Sequence, residues 1–312
     1  MNVGGLPSGA PEVLAALDVG SNSIKLLIGT RGASTEGPAG RVVVRHEEVV
    51  VTKLSEGVDA RGTLSPAAVA RTLVVLTRFA ELCRIHGVVR VAAVGTAVLR
   101  DAVDAGAFCA QARALGFDIE IIEGDTEAYI VRLAALRELP GTPPDAVVID
   151  IGGGSSEVSW ATGRESTELG VVRLTERHVA AEPAGPETLD TLRRVIRARL
   201  DRLSVPTGVE ILVGSSATCA VLARLDLQLP AYDRDRVHGH EISTLALTAR
   251  AEQLAGLDLA ARKALPGMDT TRADVILAGT VVLEQTALKI GARALRINDC
   301  GTRYGVFHRA FG

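Results

Sequence analysis

Between Val13 and Thr52 the apolar residues fall in three tight β-branched runs rather than at helical spacing. VLAALDVG and IKLLIG, on either side of the polar turn SNS, predict two strands, and RVVVRHEEVVVT at 41–52 a third. Ser65 and Pro66 then open a helix as N-cap and first helical residue, and the helical period runs through Ile85 until Gly87 stops it. A strand at 88–95, a short helix at 104–115, a strand at 118–122 and a helix at 125–139 complete a first α/β block. LPGTPPD (139–145) is the clearest linker in the chain. The second block opens with VVIDIGGGSSEVSW (147–160), two strands around a glycine–serine turn, followed by a strand at 166–169, a helix at 186–203 and a strand at 209–213. Helices then run to Gly291, a strand covers 294–298, and a short helix ends the chain. The expected domains are 12–138 and 139–299, with the C-terminal helix 300–312 packing back on the first.

One device occurs twice. Asp18-Val19-Gly20 with Ser23 is matched by Asp150-Ile151-Gly152 with Ser155, each between two apolar strands, as duplicated domains would show. Glycine in such a turn permits positive φ and removes the Cβ that would hold a ligand away from backbone N–H groups, so the turn can cradle phosphate. The first turn offers Ser21, Asn22 and Ser23. The second offers Gly153, Gly154, Ser155 and Ser156. A third candidate, LVGSSATCAVLA, puts Gly214, Ser215 and Ser216 between a strand and a helix N-terminus, where unpaired N–H groups favour anions. Any one of these turns alone is more often a plain tight hairpin; three of them, two repeated, point to phosphate.

Composition narrows the class. Of 312 residues, 47% are hydrophobic and 23% charged, which suits a globular chain long enough for two domains. Aromatics at 3% and a net charge of −3 leave little for nucleic-acid binding, since base stacking lacks platforms. The four cysteines, Cys83, Cys109, Cys219 and Cys300, form no C-x-x-C pair and read as packing residues of a reducing compartment. Residues 1–11 carry no secretory pattern and no apolar run reaches membrane length, so a soluble, cytoplasmic protein with no membrane partner is expected.

Asp18 and Asp150 each end an apolar strand directly before the glycines. One such Asp serves its own turn as readily as a ligand. Two beside phosphate-type loops suggest carboxylates around a hard cation such as Mg²⁺ (or Mn²⁺), with Glu157 as a further ligand. Val237 to Glu241, VHGHE, lacks metal spacing and reads as a turn before a helix capped by Ser243. The arginines of RRVIRARLDR (193–202) flank apolar residues as a solvated helix face does, and a polyanion contact there is the minor reading. Trp160 reads as a packed strand residue.

With DVGSNSIKLLI, VGTAVLRDA, IEIIEGDTEA, VIDIGGGSSE, VGSSAT and MDTTRADVILAG in this order, the sequence resembles the Ppx/GppA family of exopolyphosphatases and guanosine pentaphosphate phosphohydrolases, from Leu17 to Phe311. This family lies within the actin, Hsp70 and sugar-kinase superfamily. The resemblance implies an α/β fold of two ribonuclease-H-like domains facing across a cleft, and metal-assisted hydrolysis of phosphoanhydrides by water without a phosphoenzyme. It implies a homodimer as well. By the family's motif, Glu127 is the catalytic base, although spacing alone does not separate it from Glu123 or Asp125. Arg100 matches an arginine reaching the phosphate chain, Lys25 a basic residue beyond the first hairpin, and Arg272 another family arginine. The third loop, GSSAT, lacks a second glycine common in the family. Longer members continue into a C-terminal helical domain, so the likeness is to a short form.

The expected activity is Mg²⁺-dependent release of terminal phosphate from inorganic polyphosphate, with Asp150 and Arg100 beside Glu127 in the chemistry. Guanosine pentaphosphate is the alternative substrate. A regulator that binds a nucleotide or polyphosphate without turnover is the alternative of another class.

Overall fold

A computed structural model describes residues 11–32 and 40–312; the reading of residues 1–11 as free of a leader falls almost wholly outside them. Contacts divide the chain into two compact units: the described residues up to Ile122 joined by Val306–Gly312, and Glu123–Gly305.

The first unit runs β1 (Leu14–Val19), β2 (Ser23–Arg31), β3 (Val42–Val51), α1 (Val58–Arg61), α2 (Pro66–Ile85), β4 (Arg90–Gly95), α3 (Ala97–Asp101), α4 (Ala105–Ala114) and β5 (Ile119–Ile121). Its sheet has the order β3-β2-β1-β4-β5. β2 is antiparallel to β1 and β3, whereas β4 is parallel to β1 and β5. All six residues of β1 are buried, as a central strand covered on both faces requires. Leu17, Val19, Ile24 and Leu26 pack with Leu76 and Phe79 of α2 and Phe108 of α4. Ser65 caps α2 by accepting from Ala68 N–H, as its sequence predicts.

The second unit contains α5 (Gly124–Glu138), β6 (Val147–Ile151), β7 (Ser156–Trp160), β8 (Gly163–Thr167), α6 (Val171–His178), α7 (Gly185–Leu200), β9 (Ile211–Ser215), α8 (Ala217–Asp226), α9 (Arg234–Val237), β10 (Glu241–Ser243), α10 (Thr244–Ala255), α11 (Leu259–Lys263), α12 (Ile276–Ile290), β11 (Ala294–Asn298) and the start of α13 (Gly301–Phe311). Its sheet order is β10-β11-β9-β6-β7-β8. Without the edge strand β10, this repeats the first sheet strand for strand: an antiparallel meander of three, then two parallel strands. Two ribonuclease-H-like α/β units, expected from the sequence, are what the chain forms.

Several boundaries differ from the sequence expectation. The sequence order places the helix at 125–139 in the first block, yet α5 packs on β6, β7 and β8. The reason is its stripe of Val131, Ala135 and Leu139, which meets Ala146, Val148 and Val213; the stripe shows that a helix face is buried but not against which sheet. The strand expected at 166–169 lies at 163–167, and that expected at 209–213 lies at 211–215. The short helices α3 and α6 and the three-residue β10 are too brief for periodicity to reveal.

The arginines of α7 are mostly structural. Arg193 is bidentate to the buried Glu284 of α12, at 2.7 and 3.1 Å, and Arg197 reaches Gln285. The four cysteines are free thiols; burial pushes Cys83 up to about 11 and Cys219 and Cys300 up to about 12, which keeps them protonated. Among the described residues no helix is long and apolar enough to cross a membrane.

Gly305 of α13 sits so close to α5 that an added Cβ would lie 1.9 Å from the Ile130 carbonyl oxygen. Gly305→Ala is therefore expected to lower folding stability by about 3 kcal/mol, the upper end of overpacking effects. A denaturant titration with an unshifted midpoint would refute this close approach.

Candidate active site

Both glycine turns share one backbone design. Gly20 N–H donates to Ser23 C=O at 3.1 Å, and Gly152 N–H donates to Ser155 C=O at 2.9 Å. In each, two further carbonyls are tied from behind by a later segment. The Asn22 carbonyl accepts from Thr52 and Lys53, and that of Ser21 from Ser55. In the second turn the carbonyl of Gly152 accepts from Val171 and that of Gly153 from Val172 and Arg173, the first amides of α6. The N–H groups of Gly153 and Gly154 enter no hydrogen bond among the described residues. Donors left over after the carbonyls are used are what an anion needs.

The glycines do not act as expected in every respect. None of Gly20, Gly152, Gly153 and Gly154 has a positive φ, so left-handed backbone is not their reason. Clearance is. A Cβ on Gly152 or Gly20 would press on the turn's own carbonyl, at 3.1 and 3.0 Å. A Cβ on Gly153 or Gly154 would meet the chain only at ordinary contact distance, 3.5 Å from Val172 and 3.8 Å from Arg173. The fold itself does not demand glycine at these two positions. Gly170, by contrast, lies against the hairpin so tightly that its Cβ would be 2.2 Å from Gly153 O and Gly154 C, a requirement the sequence alone did not reveal.

A polar row crosses the second sheet at one level. Ser166 of β8 is registered with Glu157 of β7, Glu157 with Asp150 of β6, Asp150 with Ser215 of β9, and Ser215 with Asn298 of β11. Registered neighbours share a face, and three of these strands end here in parallel, where open α/β sheets bind ligands. Val148 and Val213, two residues before Asp150 and Ser215, belong to the cluster under α5, which sets the face. Glu157 is 2% exposed, and its Oε1 accepts from Ser155 Oγ at 2.7 Å and Ser166 Oγ at 2.9 Å. Ser166 and Asn298 went unnoticed in the sequence; a polar residue ending an apolar strand was the available signal for Asn298.

Glu127 lies in the first turn of α5, where the helix dipole favours a carboxylate, and is 9% exposed. Gly124, one turn earlier on the same face, packs on Ser166: an added Cβ would be 2.9 Å from Ser166 Cβ. Helical side chains lean towards the N-terminus, so Glu127 leans over the turn that touches the row.

In the first unit, Asp18 is 2% exposed and paired with Lys25 at 2.8 Å, its registered partner on β2. Asp18 Oδ1 is buried without a hydrogen-bond partner. Thr96, which precedes α3, donates its N–H to Val19 C=O, and Arg100 of α3 donates to Ile122 C=O. Arg100 thus stands on the segment beside the first hairpin, at the same strand ends. Asp18, Ser21, Asn22, Ser23, Lys25 and Arg100 lie on the first unit, and the other candidates on the second.

Two expected contacts are turned inward. Gly214 sits inside β9, and its missing Cβ is filled by Leu295 and Cys219, at 2.6 and 2.7 Å, because the strand runs two residues further than expected. Ser156 is wholly buried and gives its hydroxyl to Leu169 C=O. Ser215 is buried as well, with an unpartnered Oγ, while Ser216 caps α8 by accepting from Cys219 N–H. Arg272 occupies the turn before α12, where burial pushes its pKa down against Asp269 and Asp274. His238 accepts from Asp299 N–H at Nδ1, so its Nε2 proton goes to Glu138 C=O, and His240 pairs with Asp226; neither is placed for a metal.

The donor set fits a hard divalent cation at the second hairpin. Asp150 and Glu157 are directly opposed carboxylates, an arrangement that a divalent cation would stabilise. At the equivalent place in the first hairpin Lys25 supplies positive charge to Asp18. Among the described residues no three His, Cys, Asp or Glu side chains gather as a cage; Mg²⁺ commonly takes one or two carboxylates and completes its shell with water and phosphate oxygens.

Comparison with known proteins gives the chain's family likeness. The model of the Ppx/GppA phosphatase family matches residues 36–311. Exopolyphosphatase 2 of Mycobacterium tuberculosis is 35% identical over 294 residues, covering 90% of this chain and 92% of that protein. Exopolyphosphatase 1 of Mycobacterium bovis is 26% identical over 308 residues, covering 95% and 87%. The crystal structure of the Aquifex aeolicus Ppx/GppA family member superposes with a TM-score of 0.85 at 26% identity, covering 96% of this chain and 98% of that one.

Clearance for a ligand and clearance for the fold have different thermal signatures. Gly153→Ala should leave the unfolding temperature within about 2 °C of the parent, whereas Gly170→Ala should lower it by several degrees. Equal unfolding temperatures for the two variants would contradict that distinction. In the first hairpin, Lys25→Met strands the buried Asp18 carboxylate and should cost about 3 kcal/mol, with partial recovery on adding Asp18→Asn; chemical denaturation of both variants measures it.

Proposed function

The chain belongs to the Ppx/GppA phosphatase family, and on that premise we propose that it releases terminal orthophosphate from inorganic polyphosphate. The observation that carries the reading is the second hairpin. The carbonyls of Gly152 and Gly153 are engaged by α6, the Gly153 and Gly154 N–H groups are left over, and two carboxylates stand directly behind the turn. An anion accompanied by a cation matches that pattern better than a neutral ligand does. The named exopolyphosphatase relatives favour polyphosphate over other phosphoanhydrides.

In this reading Glu127 accepts a proton from water as the water oxygen attacks the terminal phosphorus in line. The bridging P–O bond breaks, and its electron pair leaves with the shortened chain. Phosphoryl transfer asks mainly for positioning and charge neutralisation. Asp150 and Glu157, with Asp18 as a further candidate, would hold Mg²⁺ or Mn²⁺, which when bound neutralises phosphate oxygens. On the second unit Gly153, Gly154, Ser155 and Ser216 would position phosphate groups; on the first unit, taken by itself, Ser21, Asn22, Ser23, Lys25 and Arg100 are the candidate phosphate contacts. Arg272 contributes a desolvated positive charge.

Orthophosphate release from short polyphosphate, long polyphosphate and guanosine pentaphosphate, each with and without Mg²⁺, tests this. Release from polyphosphate that requires Mg²⁺ is expected, and Glu127→Gln should lower kcat by about a hundredfold or more. Faster turnover of guanosine pentaphosphate would transfer the assignment to that substrate. Binding without turnover of any of the three would make the protein a regulator, and full activity in Glu127→Gln would remove Glu127 as the base.

A further inference from the structure

Arg173 is the cationic side chain that the fold lays against the second hairpin, and no motif singled it out. It is the third residue of α6, within the turn whose amides hold the hairpin carbonyls, and its own N–H donates to Gly153 C=O at 3.3 Å. Its Nη2 lies 3.8 Å from the place a Cβ would take on Gly154. Its Nη1 faces Glu168 at 3.6 Å, longer than a hydrogen bond, and Glu168 is itself held by Arg199 at 3.3 Å. Arg173 Nε is buried and has no hydrogen-bond partner. The side chain is 21% exposed, so this is not a solvated surface arginine.

A guanidinium held on one edge by a loose carboxylate, with another edge towards a glycine turn that has spare N–H groups, has donors left for an anion. Arginine presents those donors in a planar fork that suits phosphate oxygens. Asp150 and Glu157 at the same hairpin are carboxylates, which by themselves repel a phosphate chain. We propose that Arg173 is a substrate contact of the second hairpin, donating to a non-bridging phosphate oxygen seated over Gly153 and Gly154. Glu168, tethered by Arg199, orients the guanidinium from the opposite side. The inference rests on the proposed phosphohydrolase reading and deepens it by naming the residue that offsets the hairpin's negative charge for the substrate.

The test compares Arg173→Gln and Arg173→Lys with the parent protein, and uses Arg194→Gln, an exposed α7 arginine, as a control for loss of one positive charge. Steady-state phosphate release from polyphosphate gives KM and kcat, and calorimetric binding of tripolyphosphate is measured independently of turnover. Arg173→Gln should raise KM by about tenfold or more, the loss of one hydrogen bond to a charged group, with kcat within about threefold. Arg173→Lys should fall between, and Arg194→Gln should match the parent. Tripolyphosphate affinity should fall in parallel, with thermal unfolding of the variants unchanged. Arg173→Gln with parental KM and parental tripolyphosphate affinity overturns the inference. A parent that binds tripolyphosphate without hydrolysing polyphosphate defeats the turnover reading alone, and weaker binding in Arg173→Gln would still uphold this contact.

Discussion

A peptide turn can aim its N–H groups at an anion only when its carbonyls are satisfied elsewhere, because an unpaired carbonyl would meet the same anion with like charge. Both hairpins of this protein are built around that constraint. In the second, the first three amides of α6 take the carbonyls of Gly152 and Gly153, and Gly170 permits the approach by having no Cβ. In the first, the chain leaving β3 does the same work: Thr52 and Lys53 both donate to Asn22, with Lys53 in the left-handed region at φ 50. A non-glycine residue held there is uncommon. Here the two successive amides that converge on one oxygen accompany it.

The duplicated device has diverged in charge. Asp18 and Asp150 occupy equivalent positions, and each has a registered partner seven residues on. In the first unit that partner is Lys25 and the pair is self-neutralising; in the second it is Glu157 and the charge doubles. The second pair is held in place nonetheless, since Ser155 and Ser166 both donate to one oxygen of Glu157. Such support fixes the carboxylate's direction, as outer partners do for metal ligands generally. Ser166 also bears on Gly124, so one serine touches both the element carrying Glu127 and the side chain of Glu157.

Several buried ionisable groups elsewhere are committed to the fold. Arg262 is fully buried, with hydrogen bonds to Leu254 C=O and Ala273 C=O and an ion pair to Glu182. Arg193 and Glu284 join α7 to α12, a helix buried on nearly every side. The thiols of Cys219 and Cys300 are neutral and enclosed.

The sequence by itself determined the strand pairs around the two glycine turns, the cap and extent of α2, the strand β11 and the repeat of Asp, Gly and Ser, because periodicity and turn chemistry act over a few neighbouring residues. Its motifs also carried the family, and with it the proposal of Glu127 as base, which spacing alone does not separate from Glu123 or Asp125. Only the tertiary structure decided that α5 packs on the second sheet, that Gly214 and Ser156 face inward, and that Ser166, Gly170, Asn298 and Arg173 stand at the candidate site. Each of these depends on contact between segments distant in the chain or on a strand end displaced by two residues. Since a strand's end fixes which residue leaves the sheet, a strand two residues longer takes Gly214 from a turn into the packed core.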